Sequence, residues 1–376
     1  MLAKTDEGTA TVRLRVGVIG TGVISQVMHL HFLRELADRY EIVAVCDVST
    51  QSAAAAARDY GVPHVFTDWR KLLANDLDAV LILTSGSHAP IAIEAARLGR
   101  HVFTEKPMCF STTEAREMLE AARSADIILM VGYPKRYDPA FACFREAVAG
   151  LVEPRLLRVT TTESPFQPYV SHYPLNPPGG DVDESVLVGL QADARARLVA
   201  AIGTDDELLV SQYQNVLLDT LVHEINTTRG LLGEPDRLDY VELRPGSLTV
   251  MLSFGSVTAA IHWVDVPGMT RYSMEFAMMA ADGRAVLSFP SPYLRNAPCE
   301  LTIEGGQPGG ISSFKRSDVT SYESGFKAEL IEFHAAVTGK RTPPTDGVDG
   351  ARDVAVCQAI IRSIMTHAPV ERPSEY

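Results

Sequence analysis

The chain has 376 residues, of which 46% are apolar and 22% charged, which predicts about two globular domains and excludes a disordered protein. Its net charge of −13 disfavours a nucleic-acid partner, because phosphate binding needs clustered cations. The cysteines are scattered without C-x-x-C spacing, at Cys46, Cys109, Cys143, Cys299 and Cys357. We therefore expect neither a disulfide framework nor a metal site, and a reducing compartment.

We also expect a soluble, cytoplasmic protein with no membrane partner. The first residues, MLAKTDEGTATVRLR, contain no apolar stretch of the kind found in signal peptides. No later apolar run approaches the roughly 18 residues of a membrane span.

Strands and helices alternate in the first third of the chain. Apolar strands are predicted at 15–20, 41–48, 79–85, 101–105 and 127–133, and helices at 24–36, 51–61, 88–99 and 112–124. Continuous apolar strands separated by helices indicate a parallel sheet that is covered on both faces. We predict a doubly wound α/β domain at residues 1–135.

The pattern changes after Pro154. A strand at 155–163 precedes a Pro/Gly/Tyr-rich stretch at 164–180 and a helical region whose second part is 205–233. Six alternating strands follow without helices between them, at 238–243, 248–254, 257–264, 271–280, 284–289 and 299–304. Two helices close the chain, at 325–339 and 350–367. Strands in direct succession predict an α+β domain at 136–376 with an open, mainly antiparallel sheet, whose last helices can pack back on the first domain.

The first strand and the first helix meet in VGVIGTGVIS. Gly20 permits a tight turn, and Gly22 permits the backbone to approach a pyrophosphate at the helix N-terminus, as in Rossmann domains. Asp47 ends the second strand, where a carboxylate accepts the ribose hydroxyls and repels a 2′-phosphate. Since residues 48–50 include no arginine to hold that phosphate, NAD is predicted in preference to NADP.

A second motif, HVFTEKP, ends a parallel strand on the edge where doubly wound sheets bind ligands. Lys106 is therefore expected to face the nicotinamide, the alternative being a strand end with a solvated ion pair. Asp219 and His223 are four residues apart, which places them on one helix face. A carboxylate in that position can orient or stabilise an imidazole that acts as a base.

In this order, the motifs resemble those of the Gfo/Idh/MocA oxidoreductases, a family that includes glucose–fructose oxidoreductase and inositol dehydrogenase. The matching pieces are the glycine turn, Asp47, His88 within TSGSHAPIAIEAARLGRHVFTEKP, VGYPKRYDPAF, DTLVH and the closing segment FKAELIEFHAAVTGKRTPPTDGVDGARDVAVCQAI. The resemblance spans nearly the whole chain. It implies a Rossmann domain, a second domain whose open sheet is often used for oligomerisation, and NAD(P)-dependent alcohol/ketone chemistry on sugars or cyclitols.

The resemblance also implies the site residues. Lys106, Asp219 and His223 match the catalytic lysine, aspartate and histidine, and together with Tyr133 and Arg136 they are predicted to bind the substrate. The predicted cofactor-binding residues are Gly20, Gly22, Val23, Ile24, Asp47, Thr84, His88, Glu105 and Lys106. Lys135 is interpreted equally well as a substrate contact or as part of a polar hinge.

Three departures from the family pattern bear on the substrate. Ser25 stands at the third small position of the glycine turn. Gln214 and Asn215 stand where the family has paired glycines. The interval from Tyr133 to Asp219 is also long, because it holds the Pro-rich stretch and an added helical segment. These differences affect the identity of the substrate more than the chemistry.

We predict hydride transfer between nicotinamide and a secondary alcohol or ketone of a sugar, cyclitol or glycoside. His223 would act as general base, and Lys106 would stabilise the developing alkoxide. One alternative is a glycoside-cleaving enzyme that oxidises its substrate transiently and then eliminates. A second is a non-catalytic, dinucleotide-sensing regulator, against which the presence of all three catalytic residues argues. The strands predicted between 238 and 289 carry apolar residues at alternate positions, and no second layer of helices is predicted to cover both faces of their sheet. We therefore predict that this sheet forms the interface of a homodimer or homotetramer.

Overall fold

The computed structural model describes residues 12–307 and 309–376, so the start of the chain, on which the expectation about a signal peptide rests, lies outside the described part. The first of two sheets has six parallel strands in the order β3-β2-β1-β4-β5-β6. The strands are β1 (Leu14–Ile19), β2 (Tyr40–Cys46), β3 (His64–Phe66), β4 (Ala79–Ile82), β5 (His101–Glu105) and β6 (Leu129–Gly132). The predicted doubly wound domain is confirmed.

Both faces of this sheet are packed. In β4, Val80 and Ile82 belong to one buried apolar cluster, whereas Ala79 and Leu81 belong to a second cluster on the other face. This arrangement explains why the strand is apolar at every position. The helices of this region are a π-helical turn (Ser25–His29) that continues into α1 (Leu30–Glu35), followed by α2 (Thr50–Tyr60), α3 (Trp69–Leu73), α4 (Ala89–Arg97) and α5 (Thr112–Ser124).

The second sheet has nine strands in the order β14-β13-β12-β11-β7-β10-β9-β8-β15. All neighbours are antiparallel except β7 and β10, so the predicted mainly antiparallel sheet is confirmed. The strands are β7 (Leu156–Glu163), β8 (Arg237–Arg244), β9 (Ser247–Phe254), β10 (Val257–Asp265), β11 (Ser273–Met279), β12 (Gly283–Phe289), β13 (Glu300–Gly306), β14 (Ser313–Val319) and β15 (Val370–Glu371).

One face of the second sheet is buried and the other is half-exposed. Along β9, Leu248, Val250 and Leu252 are buried, whereas Thr249 and Met251 between them are only partly covered. This period of two is typical of a sheet that packs on helices with one face only. The half-exposed side of β9, with its neighbours on adjacent strands, is called the outer sheet face below.

The remaining helices connect the sheets and return to the first domain. They are a 3₁₀ turn (Pro134–Arg136), α6 (Pro139–Ala149), α7 (Gln167–Val170), α8 (Glu184–Ile202), α9 (Glu207–Gln212), a π-helical stretch (Tyr213–Leu221), α10 (Val222–Leu232), α11 (Gly325–Gly339) and α12 (Gly347–Thr366). Helix α11 packs on α1 and β6, and the Tyr40 hydroxyl donates to the Leu330 carbonyl at 2.5 Å. We keep residues 135/136 as a proposed boundary, because the first sheet is complete at Gly132.

Some elements differ from the sequence-based expectation. Strand β14 was not predicted, because its sequence SFKRSDV carries no apolar alternation at the exposed edge of the sheet. Strand β3 is too short, at three residues, to show a period. The helix predicted at 24–36 begins as a π-helical turn. Within the described residues, no helix has both the length and the apolar character needed to cross a membrane.

Candidate active site

A cavity of about 1110 Å³ lies between the carboxyl edge of the first sheet and the second domain. Gly22 in the turn after β1, Thr84 after β4 and Lys106 after β5 line it from the first domain. Asp219 and His223 line it from the second domain. Doubly wound sheets bind their ligands at this edge, and the structure brings the three predicted catalytic residues to the same cavity.

The glycine turn has the shape that a dinucleotide requires. Gly20 has a φ of 99°, and a Cβ there would lie 2.7 Å from the backbone of Leu83, so only glycine fits. A Cβ on Gly22, by contrast, would meet no atom within 4 Å. The backbone of Gly22 is thus open to a pyrophosphate, with Val23 and Ile24 lining the same cavity. These residues fit the NAD that the sequence predicts.

Asp47 and His88 do not line the cavity, but they hold the loops that border it. The Asp47 carboxylate accepts hydrogen bonds from Thr21 N and Oγ1 at 2.9 Å each and from Ser49 N at 3.0 Å. It therefore ties the glycine turn to the end of β2. His88 is fully buried and donates from Nε2 to the Thr84 carbonyl at 2.7 Å. Burial lowers the pKa of His88, so a neutral imidazole shapes the loop after β4.

Lys106 is held by Asp219 from the second domain. Its Nζ donates to the Asp219 carbonyl at 2.6 Å and to Oδ1 at 2.9 Å. The lysine side chain is 17% exposed and the aspartate 66%. Burial works against the charge of Lys106, but the Asp219 and Glu105 carboxylates outweigh it and raise the pKa of the ammonium. A charged donor therefore projects into the cavity. The peptide bond from Lys106 to Pro107 is cis.

The partly buried imidazole of His223 lies at the cavity. Burial is the largest cause that lowers its pKa well below the usual value, followed by the charges of Lys135 and Lys106, so the imidazole is neutral near pH 7. Its Nδ1 is buried without a hydrogen-bond partner, which leaves Nε2 as the nitrogen that can face the cavity. The ring of Tyr133 packs edge-on against His223, with 6.0 Å between ring centroids. Tyr133 therefore packs on the imidazole and does not line the cavity.

A buried polar cluster lies directly behind Lys106. His29 Nε2 and Glu105 Oε1 are 2.6 Å apart, and Glu105 Oε2 accepts from Lys106 N at 3.1 Å. Burial opposes ionisation of Glu105, yet the His29 contact and the Lys106 charge lower its pKa. Burial raises the pKa of nearby Glu329, and neither of its carboxyl oxygens has a partner. One ligand atom from each of the three side chains, His29, Glu105 and Glu329, lies within 4.8 Å of the other two.

Arg136 does not reach the cavity. Its guanidinium donates to the Asn226 carbonyl at 3.2 Å and lies 3.6 Å from an Asp349 oxygen. It also packs so closely on α10 that a Cβ on Gly230 would lie 2.3 Å from it. The structure therefore gives Arg136 a role in joining α10 to α12, in place of the predicted contact with substrate.

The sequence left the role of Lys135 open between a substrate contact and a polar hinge, and several other cavity residues were not predicted. Lys135 is 7% exposed and lines the cavity; burial is the main cause that lowers its pKa, against the charge of Glu224. Burial raises the pKa of Glu224 to about 7. Glu224 directly follows His223, and Lys135 follows β6, so their neighbourhood was visible in the sequence. The others come from the second sheet and its loops, and they are Glu163, Trp263, Asp265, Tyr272 and Tyr293.

The chain is similar to known proteins. A family model described as "Oxidoreductase family, NAD-binding Rossmann fold" matches residues 14–133. An inositol 2-dehydrogenase of Paracoccus denitrificans is 28% identical over 383 residues, covering 96% of this chain and 98% of the relative. A myo-inositol 2-dehydrogenase of Thermotoga maritima is 31% identical over 154 residues, but that match spans 40% of this chain and less than half, 46%, of the relative.

Solved structures extend the likeness to both domains. Levoglucosan dehydrogenase, in complex with NADH and levoglucosan, has a TM-score of 0.75 and 19% identity, and the match covers 96% of this chain and 100% of that one. At that identity the comparison establishes the shared fold. Residues 14–133 thus match an oxidoreductase family with an NAD-binding Rossmann fold, and the full-length likeness to an inositol 2-dehydrogenase supports a Gfo/Idh/MocA oxidoreductase.

Proposed function

We propose that the protein is an NAD-dependent dehydrogenase that acts on a secondary alcohol or ketone of a sugar, cyclitol or glycoside. The observation that carries this proposal is the convergence of Lys106, Asp219 and His223 on the cavity that the glycine turn opens onto. A charged donor, a carboxylate and a neutral imidazole beside a dinucleotide site are the groups that alcohol oxidation requires.

His223 is the general base. Its low pKa keeps the imidazole neutral at pH 7, so Nε2 is free to accept the hydroxyl proton of the substrate. NAD, when bound, supplies the two-electron acceptor for the hydride that leaves the carbinol carbon. In the reverse direction, the imidazolium returns the proton to the ketone oxygen. The edge-on contact of Tyr133 keeps the imidazole of His223 in place in both directions of the reaction.

Lys106 stabilises the charge that develops on the reacting oxygen. Its Nζ makes two hydrogen bonds to Asp219, and an ammonium has three donors, so one N–H remains for the substrate. A positioned donor of this kind lowers the barrier because the charge it meets exists mainly in the transition state. Asp219 orients the ammonium and has a second carboxylate oxygen with which to accept a neighbouring hydroxyl.

The rest of the cavity supports a neutral, polyhydroxylated substrate. The substrate side carries the carboxylates of Glu163 and Asp265 and the aromatic side chains of Trp263, Tyr272 and Tyr293. Carboxylates accept hydrogen bonds from hydroxyls, and aromatic faces cover the apolar face of a sugar ring. The relatives' names, inositol 2-dehydrogenase and levoglucosan dehydrogenase, support the same class.

Neither alternative from the sequence is favoured. A glycoside-cleaving enzyme would need the same three residues, and the relatives reported above are named dehydrogenases. A non-catalytic sensor would have no use for a neutral imidazole with a strongly lowered pKa inside the cavity.

The test is a screen of free polyols, cyclitols and glycosides with NAD, in which the absorbance of NADH is followed. We expect net NADH formation with at least one free polyol or cyclitol. His223→Ala should lose at least a hundredfold in turnover and keep NAD binding. His64→Ala is the matched control, because His64 is exposed on β3. Release of an aglycone without net NADH would instead identify the eliminating enzyme.

A further inference from the structure

A segment of the second domain crosses onto the first beside the cofactor cleft. We call residues 171–183, between α7 and α8, the crossing segment. Asn176 N donates to Gln26 Oε1 at 2.8 Å, and Gln26 Nε2 donates back to the Asn176 carbonyl at 3.3 Å. Gln26 belongs to the π-helical turn that follows the glycine turn. Asn176 Nδ2 also donates to Asp59 on α2, at 2.7 Å. The crossing segment therefore bridges the first two helices of the Rossmann domain.

The end of the crossing segment lies against the N-terminus of α2. Gly179 N donates to Ser52 Oγ at 3.0 Å, and a Cβ on Gly179 would lie 1.8 Å from Ser49 Oγ. The Asp181 carboxylate accepts from Ser49 Oγ at 2.5 Å and from Gln51 N at 3.1 Å. Asp181 thus uses the hydroxyl of the Ser49 cap and a backbone N–H of the first turn of α2, which has no acceptor within the helix.

These donors lie where a 2′-phosphate would need them. Asp47, at the end of β2, accepts from Ser49 N, so the ribose-binding carboxylate and the start of α2 are directly joined. In Rossmann domains, the carboxylate after the second strand binds the ribose 2′-hydroxyl, and nearby groups accommodate a 2′-phosphate. A helix N-terminus also attracts phosphate. Asp181 places a negative charge on that N-terminus from another domain.

We infer that Asp181 is a specificity-determining residue, which excludes dinucleotides with a 2′-phosphate by occupying the N-terminus of α2 with a carboxylate. The inference rests on the proposed function, in that it assumes a dinucleotide at this site. Two carboxylates then discriminate against NADP. Asp47 lies in the Rossmann domain itself, and Asp181 lies 134 residues further along the chain, in the second domain. A 2′-phosphate meets repulsion from both and finds the α2 donors already used.

Binding of NAD and NADP, measured by calorimetry without substrate, tests this inference in Asp181→Asn and Asp181→Ser. Both variants remove the charge and keep a polar side chain. We expect NADP to bind about five- to tenfold more tightly relative to NAD, the scale of one charge pair a few ångströms apart in water. The gain should shrink at high salt. Asp183→Asn is the matched control, because Asp183 is two residues away and instead caps α8, accepting from Ser185 N at 2.7 Å.

The outcomes separate the two proposals. A shift in the NADP-to-NAD binding ratio in both Asp181 variants, absent from the Asp183 control, supports the inference. An unchanged ratio in protein that binds NAD and melts like wild type overturns this inference alone. An equal shift in the control also overturns it, because any lost charge would then suffice. A wild-type protein that binds neither nucleotide overturns the proposed function along with it.

Discussion

Lys106→Ala removes the cation that pairs with Asp219 in the cavity, the only one to do so among the described residues. If Lys106 stabilises developing alkoxide charge, its loss should cost roughly two to three orders of magnitude in turnover, or about 2.7–4 kcal/mol, as for other positioned donors. If HVFTEKP is only a strand end with a solvated ion pair, the change should leave activity intact.

The structure predicts that the fold survives this change. Asp219 is 66% exposed, so its carboxylate remains hydrated when Lys106 is gone, and the lost ion pair is worth no more than about 1 kcal/mol. The loss of catalysis should therefore exceed the loss of stability several-fold. This contrast separates a catalytic role from a structural one.

The assay is steady-state turnover on the substrate found in the screen, with NAD binding and thermal melting measured on the same protein. Lys327→Ala is the matched control, because Lys327 is 23% exposed and also ion-paired, with Glu35 and Glu323, but lies on α11 outside the cavity. The control should keep full turnover. Near-normal turnover in Lys106→Ala would refute the proposed role, and so would an equal loss in the control.

Three further perturbations test the electrostatics and the assembly. Of the two nearby lysines whose charges lower the pKa of His223, Lys135 has the larger effect. Lys135→Met should therefore raise that pKa and move the acidic limb of the kcat/KM profile to higher pH; an unmoved limb would contradict this. Burial raises the pKa of Glu329 in the folded protein. Between its unfolded pKa of about 4.3 and its folded pKa, Glu329 therefore lowers the free energy of unfolding as pH rises, by about 1.4 kcal/mol for each pH unit. Glu329→Gln should therefore stabilise the protein against urea at pH 8 and not at pH 4, and a loss of stability at pH 8 would argue against a neutral Glu329. The outer sheet face should mediate self-association, so sedimentation should show a dimer or tetramer that Met251→Asp weakens; a monomeric wild type at micromolar concentration would count against it.

Local patterns determined much of the fold. The helix predicted at 112–124 is observed as Thr112–Ser124, because Ser111 caps it and accepts from Glu114 N at 3.1 Å. The helix predicted at 325–339 is likewise observed as Gly325–Gly339. The glycine turn and the EKP motif were readable because each lies within a few residues and must follow a strand. Caps, glycines and apolar periods are local, so the sequence displays them directly.

Only the tertiary structure decided which of these pieces meet. Lys106 and Asp219 are 113 residues apart and share two hydrogen bonds, whereas Arg136, close to β6 in sequence, turns away to Asn226. The contact of Asp181 with Ser49 spans 132 residues and leaves no periodic signal in either segment. Such contacts depend on how two sheets and their loops pack. Spacing along the chain specifies a helix or a turn, but it does not specify which loops face one another across a cleft.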